Sequence, residues 1–169
     1  IGTFGDVTMI SFCAPKIITT GEGGAALTNS KDAYEKLKLV RSHGREERRN
    51  YFSSAENFDY SSLGYNFRMS NITASLGISQ LQKIDRLIQM RRRNAKYFST
   101  ILAEIPHVIV PSAPESYRHI YQMYTIRVKG GVSLRNGLKE YLNSKGIMAR
   151  VYFPPVHLSN FYKKTFGEI

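Results

Sequence analysis

The chain has 169 residues, 42% of them hydrophobic, with 24 Lys plus Arg against 13 Asp plus Glu for a formal net charge of +11. That composition excludes a disordered chain, and no apolar stretch approaches the roughly 18 to 20 residues that a membrane-spanning helix needs. The positive excess draws phosphate-bearing partners, whether nucleic acid, anionic membrane or nucleotide substrates, and its sign does not choose among them.

In chain order, Val7 to Phe12 reads as a short buried strand and Ala25 to Thr28 as a second that pairs with it, with Lys16 and a glycine-rich turn between them. Asn29 or Ser30 caps a helix from Lys31 to about His43, with Ala33, Leu37 and Val40 at helical spacing and Gly44 as its stop. Arg45 to Ser62 is polar and without a period, so it reads as a long surface loop. Ser70 or Asn71 caps one long helix whose stripe of Ala74, Gly77, Ile78, Leu81, Ile84 and Ile88 continues through Arg91, Arg92 and Arg93 towards Leu102. Pro106, Pro111 and Pro114 mark a linker or first edge strand of a smaller lobe. There Tyr121 to Val128 alternates like a strand, Ser133 caps a helix with Leu134, Leu138, Tyr141 and Leu142 inward and Gly146 as stop, and Ile147 to Phe153 is a further strand.

The length allows one domain or two small lobes and is short for a complete large enzyme. The chain opens at Ile1 with no initiator Met and stops at Ile169 with no helix cap, so it reads as an internal piece of a longer protein. Its single cysteine, Cys13, excludes an internal disulfide and reads as a small core thiol in a reducing compartment, with cytoplasm the default.

The chemistry concentrates on Lys16. A lysine is ordinarily a hydrated surface charge, but an amine partly desolvated at the mouth of a glycine turn is a nucleophile. The run Thr19-Thr20-Gly21-Glu22-Gly23-Gly24 lets backbone approach a planar ligand closely, yet it lacks the residue order of a nucleotide P-loop. Ser11 is either a strand end bonded to its own backbone or a phosphate donor, and Asn66 either a turn residue or a ligand. His157, after Pro154 and Pro155, is either a surface histidine or a binding group. His43 reads as a helix-end cation, and the arginine run as a solvated helix face before it reads as a nucleic-acid reader.

The block from Ser11 through Lys16 to Gly24 resembles the pyridoxal phosphate lysine motif of the DegT-type (DegT/DnrJ/StrS) sugar aminotransferases. Three further blocks follow in that family's order: Arg41-Ser42-His43-Gly44-Arg45, then Leu63 to Asn71 leading into Ala74 to Leu81, and Pro154-Pro155-Val156-His157. The resemblance covers nearly the whole chain. It implies an α/β fold of the fold type I class, with residues 1–88 the later part of a large cofactor domain and 89–169 a small α+β domain. It also implies an enzyme that binds pyridoxal 5′-phosphate and transfers an amino group from an amino acid, most often glutamate, to a keto group of a nucleotide-linked sugar. Lys16 would be the catalytic residue and form the Schiff base with the cofactor. Ser11 would bind its phosphate, and Asn66 would reach the phosphate of the cofactor in the neighbouring subunit of a homodimer. Arg68 would meet substrate phosphates or brace its loop, and His157 would lie near the sugar-nucleotide entrance. No metal, nucleic acid or membrane is expected.

The family's ring-nitrogen aspartate, stacking aromatic and phosphate-holding helix N-terminus would all lie before Ile1, and Asp6 is assigned to a turn. A related dehydratase branch carries histidine at the lysine position, so Lys16 favours transfer over dehydration. The alternative is a regulatory or nucleic-acid-binding protein of the same fold without transaminase activity.

Overall fold

A computed structural model describes residues 2, 4–46 and 59–167, in two compact units, Ile1–Gln89 and Met90–Ile169. The first unit opens with an antiparallel hairpin of β1 (Thr8–Ser11) and β2 (Gly24–Leu27), in register Thr8 to Leu27 and Ser11 to Gly24. Helix α1 (Lys31–Arg41) starts where the Ser30 hydroxyl accepts the Ala33 N–H, an N-cap bond that satisfies one of the free donors of a first turn. It closes at Ser42, with the Gly44 N–H on the Leu39 carbonyl and both His43 (φ 65°) and Gly44 (φ 70°) left-handed. Most of the expected surface loop, residues 47–58, lies outside the described residues. Of its ends, Arg45 pairs with Tyr60 in an isolated antiparallel bridge.

The expected long helix is two helices. Ser70 caps α2 (Asn71–Leu81) by accepting the Thr73 N–H, and α3 (Ile84–Leu102) begins after a turn at Gln82 and Lys83. The Lys83 N–H bonds three residues back to Gln80, which tightens the helix and ends α2, and the Lys83 carbonyl then accepts from Leu87 to start α3. The apolar stripe is not buried as a whole, since Ile78 and Leu81 are exposed. Among the described residues the buried apolar side chains are Ile88 and Ala95, seven apart on one face of α3.

In the second unit β3 (Val108–Ile109) pairs antiparallel with β4 (Arg127–Val128), so only the end of the expected Tyr121–Val128 strand is paired. Helix α4 (Gly131–Ser144) starts at Gly130, not at Ser133, because Gly130 at φ 112° can turn the chain directly out of β4. Leu138 and Leu142 are half-buried on it, while Leu134 and Tyr141 are exposed. No strand forms over 147–153: the Asn143 side chain accepts the Ala149 N–H (2.9 Å) and donates to the Ala149 carbonyl (3.3 Å), taking the groups a partner strand would use. A short 3₁₀ turn (Val156–Leu158) and helix α5 (Asn160–Phe166) end the described chain.

Two of the three arginines in the run also make hydrogen bonds, although Arg92 and Arg93 are exposed as a solvated face would be. Arg91 donates to the Gln122 carbonyl (2.8 Å) and Arg92 to the His119 carbonyl (2.7 Å), so part of the positive excess holds the 119–122 segment. No helix among the described residues is long and apolar enough to cross a membrane.

Candidate active site

The loop that carries Lys16 is closed on itself by main-chain bonds. The Phe12 N–H donates to Gly23 (2.9 Å), the Thr20 N–H to Phe12 (2.9 Å) and the Lys16 N–H to Cys13 (3.0 Å). Both threonines reinforce it, Thr19 Oγ1 donating to the Phe12 carbonyl and accepting the Gly21 N–H, and buried Thr20 donating to the Glu22 carbonyl. Glycine is required where this loop re-enters β2. A Cβ at Gly24 would lie 2.7 Å from the Ile10 carbonyl oxygen, and Gly23 sits at φ 145° with the Met69 methyl 2.7 Å from where its Cβ would be. A Cβ at Gly77 of α2 would lie 3.0 Å from the Thr20 methyl. The segment before α2 and α2 itself therefore pack directly on the lysine loop.

Lys16 is half-buried, and among the described residues no carboxylate or hydrogen-bond acceptor engages its amine. An amine at the loop mouth without an anion partner is available for bond formation. The Ser11 hydroxyl accepts the Cys13 N–H (3.3 Å), which anchors it to the same loop and leaves its own hydrogen to donate. The bond to neighbouring backbone is the one expected of a serine that ends a strand. The donor set suits a phosphorylated aldehyde: an amine for the carbonyl and a hydroxyl for the phosphate. Asp6 lies in the turn before β1, where its carbonyl accepts from Thr28 Oγ1 (2.6 Å). No group of three His, Cys, Asp or Glu that could hold a metal ion exists among the described residues.

Asn66 is exposed and stands opposite Ser42 in an antiparallel bridge. Arg68 donates through one guanidinium nitrogen to Ser42 Oγ (3.1 Å), and Ser42 is fully buried. Sequence reasoning gave Ser42 no task, although it belongs to the Arg41–Arg45 block; the signal was a hydroxyl at a helix end beside an arginine 26 positions away. His43 bonds through its backbone to Tyr65 (2.9 Å). His157 is exposed in the 3₁₀ turn of the second unit.

The model of the DegT/DnrJ/EryC1/StrS aminotransferase family matches residues 1–169, and the chain belongs to that family. It is 35% identical to the GDP-perosamine synthase of Caulobacter vibrioides over 93% of this chain and 41% of that protein. Among solved structures it is similar to Helicobacter pylori PseC, an aminotransferase involved in the biosynthesis of pseudoaminic acid, with a TM-score of 0.88 and 32% identity over 98% of this chain and 44% of that one. The Spr1654 protein of Streptococcus pneumoniae, solved in a PLP-form, gives a TM-score of 0.86 at 27% identity over 98% of this chain and 42% of its own. The chain therefore spans less than half the length of the relatives it matches. These neighbours make the fold that of the fold type I aminotransferases.

Proposed function

We propose that the protein is a pyridoxal 5′-phosphate-dependent aminotransferase that moves an amino group from an amino acid, with glutamate the expected donor, to a keto group of a nucleotide-linked sugar. The observation that carries this reading is the Lys16 amine, which has no anion partner among the described residues and lies on a loop whose every glycine has a geometric reason. The names of relatives that act on nucleotide-linked sugars support the acceptor class.

Once bound, the cofactor supplies an aldehyde for an amine and a ring that accepts electron density. Lys16 is the residue that would hold it, through its Nζ, in the resting enzyme. The freed Nζ then takes the proton from the donor's α-carbon and, in the second half-reaction, returns a proton at the sugar carbon that receives nitrogen. The Ser11 hydroxyl donates to the cofactor phosphate. Asn66 serves the phosphate of the neighbouring subunit, so the working form is a homodimer with shared sites. His157 meets the nucleotide sugar, and Arg68 meets its phosphates or braces its own loop. Exposed apolar side chains such as Met9 in β1 and Ile72 in α2 fit a chain whose faces are covered by the rest of the enzyme and by a second subunit.

The regulatory or nucleic-acid-binding alternative rests on the net charge of +11, and Arg91 and Arg92 donate to backbone carbonyls, which weighs against the arginine run as its reader. The test is to incubate the intact protein with pyridoxal phosphate, glutamate and a panel of nucleotide-linked keto sugars, and to follow products by mass. Amino sugar and 2-oxoglutarate in equal amounts are expected. No amine product with any acceptor, together with DNA binding that weakens steeply with salt, would overturn the reading in favour of the alternative.

A further inference from the structure

The segment that carries Asn66 is fastened to the end of α1 at every second residue. The Tyr65 N–H donates to the Val40 carbonyl (2.7 Å), the Tyr65 carbonyl accepts from His43 (2.9 Å), and the Phe67 N–H donates to the Arg41 carbonyl (2.9 Å). These bonds flank Asn66 on both sides. Beneath them the two segments touch backbone to backbone: a Cβ at Gly64 would lie 1.9 Å from the Gly44 nitrogen, and one at Gly44 would lie 1.6 Å from the Ser62 carbonyl oxygen. Main-chain bonds fix the start and middle of the segment, and its far end is fixed by the Arg68 head group on Ser42 Oγ, 3.1 Å away.

Ser42 does not need its hydroxyl to end the helix, because its backbone N–H already closes the last turn on Leu39. The Ser42 hydroxyl, with no exposure, accepts from a guanidinium, and that bond matters because a buried polar atom deprived of a partner is costly and a charged donor makes the stronger bond.

We propose that Ser42 is a positioning residue for the transamination site: by holding Arg68 it sets the 65–68 segment so that the Asn66 amide meets the cofactor phosphate. The inference rests on the reading of Asn66 given under Proposed function. It also makes Arg68 a brace of its loop, the second of the two roles open to it from sequence.

The experiment uses the intact protein, freed of cofactor, in the variants Ser42→Ala, Arg68→Gln, Asn66→Ala and the double variant Ser42→Ala/Asn66→Ala. Two readouts are taken: the dissociation constant for pyridoxal phosphate by absorbance titration, and hydrogen exchange of the Tyr65 and Phe67 amides before cofactor is added. Ser42→Ala is expected to weaken cofactor binding ~10-fold, the scale of one lost bond to a charged group, and to speed exchange at both amides. Arg68→Gln, at an exposed position that does not threaten folding, should reproduce both effects. The double variant should bind no more weakly than Asn66→Ala alone, because two residues acting through one contact are not additive. Wild-type cofactor affinity in Ser42→Ala and Arg68→Gln, with weakened affinity in Asn66→Ala, overturns the inference and leaves the Asn66 assignment standing. Unchanged affinity in Asn66→Ala refutes that assignment, and the inference with it.

Discussion

The loop around Lys16 and the turn around His157 each carry a residue expected at the site, and they are built by opposite means. The lysine loop is closed by main-chain and threonine bonds over Phe12 to Gly24, and Gly24 leaves no room for a side chain. The turn around His157 has two short bonds, Leu158 to Pro155 and Ser159 to Val156, both 3.0 Å, and every residue from Arg150 to Phe161 is exposed. A geometry that the chain imposes on itself is written in local residues. A side chain on an exposed turn takes its final place from whatever covers it.

Substitutions can break that contrast at either end. The largest effect is expected from Lys16→Ala in the intact protein, where loss of the group that moves the proton lowers turnover ~10³-fold or more while the thermal midpoint stays within a few degrees. A kinetic assay alongside a melting curve checks it, and near-native turnover would remove the lysine from the mechanism. Gly64→Ala is next: a Cβ 1.9 Å from the Gly44 nitrogen forces backbone apart, and denaturant titration should show a loss of about 3 kcal/mol or more. Ser30→Ala removes only the N-cap bond to Ala33 and should cost about 1 kcal/mol in the same titration. The smallest effect belongs to His157→Ala, which should raise the KM for the nucleotide sugar ~3-fold, one partly exposed hydrogen bond's worth, with pyridoxal phosphate affinity unchanged. A large loss of cofactor affinity in that variant would erase the distinction between the two loops.

Much of the first unit was legible because its signals are short-ranged. Ser30 and Gly44 bound α1 through neighbours within a few residues, and the glycines after Thr20 each answer to a positive φ or a close backbone approach. The break between α2 and α3 was not legible, since the apolar spacing runs across Gln82 and Lys83 without interruption. The strand expected over Ile147 to Phe153 has the right composition, but the Asn143 side chain occupies the Ala149 backbone. The roles of Arg91, Arg92 and Ser42 depend on partners 26 to 31 positions away, which no local pattern announces. For the same reason the Lys16 motif can be read from adjacent residues, while the hydrogen bond from Arg68 to Ser42 emerges only in the folded chain.

The measurement that bears most directly on the central claim is borohydride reduction of the intact protein with pyridoxal phosphate bound, followed by digestion and mass mapping. The account predicts a single phosphopyridoxyl group on the peptide that contains Lys16, absent from Lys16→Ala. A label on any other lysine, or none in a protein that nonetheless transfers amino groups, would contradict it.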